Sequence, residues 1–155
     1  MNDIEMLLRF FEFDRWANQE SLRSLEAMKD PPQRAVALVA HIAGTQRVWL
    51  ERALSLPKSV PVWPPWSLAE TAKELPAVHG EWTRLIATDN LSREFAYTNT
   101  KGQSFRNKLG DVALHVAFHG VYHRGQIASK LKRFGIEPPN TDFFFWAIEQ
   151  IPQEA

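Results

Sequence analysis

Residues 115–127 of the chain, HVAFHGVYHRGQI, contain three of its five histidines, and each histidine follows the previous one by four residues. Four residues advance an α-helix by about 400°, which is about 40° beyond one full turn. His115, His119 and His123 are therefore expected to form one ridge along a helix. The apolar spacing on both sides of this stretch predicts that the helix extends over residues 108–134.

The rest of the chain predicts three more long helices and one short one. Gly135 is in the usual place for the glycine that ends a helix, here the histidine-bearing helix. Apolar residues at helical spacing predict the others over residues 3–28, 32–54, 68–88 and 141–150. Ser67 and Glu70 have capping-box spacing at the start of the third helix, and Pro76 is expected to kink or divide that helix.

The segments between the helices have their own signals. The proline-rich stretch SLPKSVPVWPPW, residues 55–66, predicts a stiff loop held to the domain by Trp63 and Trp66. Short alternating runs flank the turn signal NTKG within residues 91–107, which predicts a small hairpin or an extended loop. The fold class predicted is all-α, a four-helix bundle with a short C-terminal helix, in one domain over residues 1–155.

Two histidines one helical turn apart are a common metal-binding pattern, because neighbouring imidazoles can share an ion. His119 and His123 have this spacing, and the absence of an acid between them excludes the zinc-protease motif. A catalytic zinc site needs a third protein ligand, and His41, in the middle of the second helix, is the best candidate. His79, close to Pro76, is a poor candidate. The alternative is that these histidines are buried and bind no metal.

Two glycines interrupt the histidine-bearing helix. Gly120 and Gly125 each cost about 1 kcal/mol relative to alanine in a helix interior. A helix that contains both beside its histidines is expected to need a close backbone approach there. Tight packing against a neighbouring helix would explain them equally well, and the two explanations are compatible.

The composition excludes several kinds of site and partner. The chain has no cysteine, which excludes disulfides, thiolate metal ligands and a cysteine nucleophile. Its 18 basic residues balance 18 acidic ones, so neither nucleic acid nor a membrane surface is expected as a partner. We find no signal-peptide pattern and no apolar run long enough to span a bilayer. We therefore expect a soluble cytoplasmic protein.

The stretch HVAFHGVYHRGQI, with LGDVAL before it and PPNTDFFFW after it, closely resembles the last-helix signature of the DinB-like family. FDRWANQESL in the first helix and LVAHIAGTQRVWL in the second are similar to segments of that family in the same order. The resemblance extends over nearly the whole chain, and its most specific element is H-x-x-x-H-R-G-Q. It implies a four-helix bundle with one divalent metal on three histidines, which are here His41, His119 and His123.

The resemblance also implies a class of chemistry. Family members with known activity include zinc-dependent thiol transferases and a mycothiol-dependent isomerase, and relatives are often homodimers. For this chain it implies zinc or nickel as the metal, a small-molecule thiol as cosubstrate, and a homodimer. The predicted function is that of a metal-dependent enzyme of the thiol-transferase type. The alternatives are a metal-dependent hydrolase and a non-catalytic, metal-stabilised bundle that dimerises or senses a ligand.

The sequence assigns a catalytic role to no residue. His115 matches a family histidine that is not usually a ligand, so it is a candidate for orienting the site. Gln126 could orient a histidine ligand, and Arg124 could pair with a carboxylate, in the same chain or across a subunit boundary. Ordinary helix-surface contact is the alternative for both. The nearest acids are expected to be solvated at the surface: Glu12, Asp14 and Asp111.

Overall fold

Local sequence signals set the ends of the helices. In the computed structural model, which describes residues 1–154, Asn2 and Glu5 form a capping box, since each side chain accepts a hydrogen bond from the other residue's amide. Ser67 and Glu70 form the predicted box at the third helix. Gly135 follows the fourth helix with a φ of 73°, a left-handed conformation that glycine adopts without steric cost.

The described residues form five helices and one two-stranded sheet. Their order is α1 (Asp3–Glu26), α2 (Gln33–Ala53), α3 (Leu68–Thr88), β1 (Glu94–Thr98), β2 (Ser104–Lys108), α4 (Leu109–Arg133) and α5 (Phe143–Glu149). The predicted all-α class is confirmed, and a small hairpin precedes α4 as expected. Its strands are antiparallel, with Ala96 opposite Arg106.

Of the two effects expected of Pro76, a division of the third helix does not occur, because α3 continues through it. A proline inside a helix removes one backbone hydrogen bond and costs about 3 kcal/mol. Here Leu75 and Val78, on either side of the proline, are buried in the core, whereas Pro76 itself is exposed. The packing of the flanking residues therefore holds the helix together at this position.

The hairpin fixes the start of α4. The backbone amide of Leu109 donates to the carbonyl oxygen of Arg93 at 2.9 Å, and that of Gly110 donates to Leu91 at 2.8 Å. These bonds satisfy two of the amides that the first turn of a helix leaves without partners. Phe95 of β1 is buried in the bundle core and anchors the hairpin. The position of α4, and with it the position of its histidines, is set in this way.

Consecutive helices are not always neighbours in this bundle. α1 packs between α3 and α4, and α2 also packs between α3 and α4. α1 and α2 therefore lie diagonally across the bundle, which differs from a simple up-and-down arrangement in which successive helices are adjacent. α2 and α4 share the most extensive contact. That contact brings the histidine of α2 against the histidines of α4.

Two apolar clusters fill the bundle, one toward each end. One contains Trp82 and Val116, and the other contains Leu25 and Leu131. Between them is a group of buried polar side chains from three helices, here called the polar layer: Asp14, Asn18, Gln46 and Arg124. Buried polar groups are costly unless they are paired, so this layer fixes how the three helices align.

The short helix α5 packs against α1. The ring of Phe143 lies edge-on to that of Phe13 at 5.2 Å, and the buried Trp146 lies 6.0 Å from the same ring. These aromatic contacts cover one side of α1. None of the helices in residues 1–154 has the length and apolarity needed to cross a bilayer.

Candidate metal centre

Three histidines from two adjacent helices converge at the contact between α2 and α4. Nε2 of His41 lies 3.1 Å from Nε2 of His119 and 3.2 Å from Nε2 of His123. One ring nitrogen from each histidine lies within 4.8 Å of the other two. Zinc binds histidine nitrogen at about 2.0–2.1 Å, so neighbouring corners of its tetrahedron are about 3.3 Å apart. These three residues, here called the histidine triad, have the spacing of three ligands on one ion.

Hydrogen bonds at the opposite ring nitrogens fix two of the imidazoles. Nδ1 of His41 lies 2.7 Å from the carbonyl oxygen of Val62, and Nδ1 of His123 lies 2.7 Å from Oε1 of Gln126. Since both oxygens accept, both Nδ1 atoms carry the proton and donate it. The two Nε2 atoms then face each other with bare lone pairs. A cation between them would turn this repulsion into attraction, which is the chemistry expected of a metal site.

The environment of His41 and His119 favours neutral imidazoles. Burial, together with the nearby His123, His41 and His115, lowers the pKa of His119 to about 3. Burial is also the main cause that lowers the pKa of His41, against the bond to Val62 that raises it. Only a neutral imidazole has a lone pair for a metal, so His41 and His119 are in their ligating state near neutral pH.

The proline-rich loop after α2 forms one wall of the site. The ring of Trp63 stacks on that of His41, with centroids 3.7 Å apart and planes 6° apart. The guanidinium of Arg34 lies 4.6 Å from the centre of the same tryptophan ring. Gly44 permits this approach, because a Cβ at that position would lie 2.7 Å from Cδ of Pro64. The loop thus orients His41 through both a carbonyl and an aromatic face.

These contacts of the loop with His41 were not predicted from the sequence. Trp63 was expected to anchor the loop to the domain, and no role was expected for Val62. Prolines on both sides of a tryptophan indicate a stiff segment, but the surface against which the segment lies depends on the whole fold. A glycine at position 44, three residues after a candidate ligand, is the one local signal that another segment approaches α2 closely.

The other predicted site residues lie in different places. Gln126 contacts the triad directly through His123. The ring of His115 lies 5.8 Å from that of His119, centroid to centroid, and is exposed at the edge of the site. His79 lies outside the triad, with its Nε2 3.4 Å from a carboxylate oxygen of Glu12 on α1.

Arg124 and Asp14 are not surface residues, so the expected surface position of Asp14 is wrong and the alternative of ordinary surface contact for Arg124 does not hold. They are 3% exposed, and Nη1 of Arg124 donates to Oδ1 of Asp14 at 2.6 Å. The carboxylate partner that the sequence allowed for Arg124 is therefore on α1 of the same chain. Helical spacing places Asp14 on the apolar face of α1, seven residues after Leu7 and three after Phe11, and this local signal indicates its burial.

The family model of the DinB superfamily matches residues 30–127. The match covers more than half of the chain and includes all three histidines of the triad. Neither the curated proteins nor the solved structures give a match. By its matching segment, which runs from the start of α2 into α4, the chain belongs to the DinB superfamily.

Proposed function

We propose that the histidine triad binds one divalent metal ion, zinc or nickel, and that the protein is a metal-dependent enzyme of the thiol-transferase type. The observation that carries the proposal is the convergence of the Nε2 atoms of His41, His119 and His123. Imidazole ligands suit both metals, and the hydrogen bonds from Val62 and Gln126 hold two of the rings in the ligating orientation.

The ligand count favours an open site. Structural zinc sites usually have four protein ligands, whereas catalytic sites have three and keep one position for water or substrate. In residues 1–154, the group with metal-ligand spacing consists of three histidines. His119 is only partly buried, so the triad can be reached from solvent on its side. This arrangement supports a site that binds a reactant.

The residues around the triad favour thiol transfer over hydrolysis. A bound divalent ion with three neutral ligands lowers the pKa of a thiol in its open position and supplies a thiolate. Because the chain has no cysteine, the sulfur has to come from a small-molecule cosubstrate. Hydrolysis commonly relies on a positioned acid or base. Among the described residues, the side-chain nitrogens of the triad contact a carbonyl, a hydroxyl and an amide, and no carboxylate.

Metal analysis of protein purified without a metal-affinity tag tests the site. We expect about one zinc or nickel ion per chain in the wild type and none in His119→Ala. The matched control is His79→Ala, which removes a histidine of α3 outside the triad and should keep the ion. A wild-type chain without bound metal, or equal metal in His119→Ala, would contradict the proposed site.

A panel of small thiols offered with electrophiles tests the reaction. We expect turnover by the zinc-loaded or nickel-loaded protein that His119→Ala abolishes and His79→Ala retains. Metal binding without turnover across the panel would instead favour the non-catalytic, ligand-sensing bundle. The homodimer implied by the resemblance stays a prediction, which light scattering of the full chain can check.

A further inference from the structure

Arg52 on α2 has a guanidinium group without an acidic partner. It is partly buried and lies over the rings of Trp49 and Tyr97, 4.6 and 4.8 Å from their centres. In residues 1–154 we find no hydrogen bond or ion pair from its side chain. By contrast, Arg47 and Arg93 each hold a carboxylate at 2.6–2.8 Å. The donors of Arg52 are therefore free to bind a ligand.

A cavity of about 370 Å³ lies beside Arg52, between the end of α2 and the hairpin, and is here called the outer cavity. Its wall contains a second cation, Lys58, together with hydroxyl and amide side chains of Ser55, Thr98 and Asn99. The one acid in its wall is Glu51. Both carboxylate oxygens of Glu51 accept hydrogen bonds from Ser59, one from the backbone amide at 3.0 Å and one from the hydroxyl. The unengaged charges of the outer cavity are positive.

A second cavity of about 280 Å³, the inner cavity, lies beside the same aromatic rings. Its lining consists of Trp49, Tyr97, Asn107, Asp111, Val112 and His115. The ring of Trp49 lies 5.6 Å from that of His115, which in turn lies 5.8 Å from His119. Tyr97 borders both cavities. The rings of Trp49, His115 and His119 therefore form a chain of contacts that leads from Arg52 to the triad.

We propose that Arg52 binds the carboxylate of an extended small-molecule substrate that lies along the Trp49 and Tyr97 rings and reaches the histidine triad with its other end. A guanidinium fork matches the two oxygens of a carboxylate, and the aromatic rings hold that fork in place. The substrate class is then a thiol with a carboxylate at the far end. This substrate class rests on the proposed thiol-transferase function, whereas the binding of an anion at Arg52 does not depend on that function.

Titration of the metal-free protein with glutarate, followed by NMR of the arginine Nε–H groups, tests anion binding alone. We expect a saturable shift of the Arg52 signal in the wild type. In Arg52→Gln, the signals of the other residues that line the outer cavity should report glutarate binding that is weaker by about tenfold or more. Arg52→Lys keeps the charge without the fork and should be intermediate, so the test does not depend on how well Arg52→Gln folds.

The matched control is Arg106→Gln, an exposed hairpin arginine that pairs with Glu94. It should bind glutarate like the wild type. Equal glutarate affinity in Arg52→Gln and the wild type, or an equal loss in Arg106→Gln, would overturn the proposal.

The zinc-loaded protein links this subsite to the triad. We expect ω-mercaptoalkanoates of increasing chain length to bind most tightly at one intermediate length, and the corresponding neutral amides to show no such maximum. Arg52→Gln should remove the maximum. Equal binding of acids and amides would overturn the role of Arg52 in substrate binding while leaving thiol binding intact. If no thiol bound while glutarate still shifted Arg52, the proposed function would fail and the anion site would stand.

Discussion

At the scale of single residues, the two glycines beside the histidines have different roles. A Cβ at Gly120 would overlap the carboxylate of Asp14 and lie 2.7 Å from Nη1 of Arg124, whereas one at Gly125 would meet nothing within 4 Å. We expect Gly120→Ala to destabilise the fold by about 1–3 kcal/mol through overpacking. Gly125→Ala is the control and should stabilise it by up to about 1 kcal/mol through helix propensity. Urea unfolding measures both, and equal effects would refute the distinction.

His79 gives the fold a residue-level sensitivity to acid. Burial lowers the pKa of His79 below its ordinary value of 6.5, although Glu12 and Asp14 on α1 oppose this shift and Arg15 adds to it. The unfolded chain therefore binds this proton more readily than the fold does. The stability that the neutral form provides is complete above pH 6.5 and is lost as the pH falls below it.

Removing the ring of His79 tests that sign. In metal-free protein, we expect His79→Gln to lose less stability than the wild type when the pH is lowered from 7.5 to 5.5. Urea midpoints at the two pH values provide the comparison. The remaining histidines contribute equally to both proteins, so the difference reports on His79. An identical pH dependence in the two proteins would show that this side chain has no such role.

At the scale of helices, the ion pair between Asp14 and Arg124 joins α1 to α4. Oδ2 of Asp14 also accepts from Asn18 at 2.9 Å and from Gln46 at 2.7 Å, so its carboxylate is fully engaged. We expect Asp14→Asn to cost about 3–5 kcal/mol, because it leaves the charge of Arg124 buried without a counter-ion. The loss should appear as a lower free energy of unfolding in urea.

A nearby surface acid supplies the control for that variant. Glu12 pairs with Arg15 at 3.0 Å, and both side chains are more than 40% exposed. We expect Glu12→Gln to change the stability by about 0.5 kcal/mol or less, as surface pairs contribute little. The double variant Asp14→Asn with Arg124→Gln should recover part of the loss, since no unpaired charge remains. A loss in Asp14→Asn no larger than in Glu12→Gln would mean that the buried pair does not hold α1 to α4.

The same scale shows what the sequence can predict. Helices and their ends follow from short-range signals, such as the spacing of apolar residues, the box at Ser67 and the glycine at 135. The i, i+4 spacing also places His119 and His123 on one face. The contacts of Val62 and Trp63 with His41 and the pairing of Asp14 with Arg124 depend on how helices and loops meet across the bundle. These contacts join segments that are far apart in the sequence, and no local pattern predicts them, so they are known only from the structure.

At the scale of the whole molecule, a metal on the triad would couple ligand binding to folding. The three ligands come from α2 and α4, and unfolding separates them because His41 lies 78 residues from His119 in the chain. An ion that binds the fold and not the unfolded chain stabilises it by about 4 kcal/mol at a free concentration a thousandfold above its dissociation constant. For a domain of this size, that corresponds to a rise of about 8–16 °C in Tm.

Calorimetry with and without zinc checks this coupling. We expect the rise in the wild type and in Gly125→Ala, whose added methyl group meets no other side chain. We expect no rise in His119→Ala, whose zinc-free Tm should stay close to that of the wild type because the ring of His119 is only partly buried. An equal rise in His119→Ala would assign the effect to zinc bound elsewhere on the surface. A wild-type Tm that zinc leaves unchanged would show that the triad, despite its spacing, does not take up the ion in the folded state.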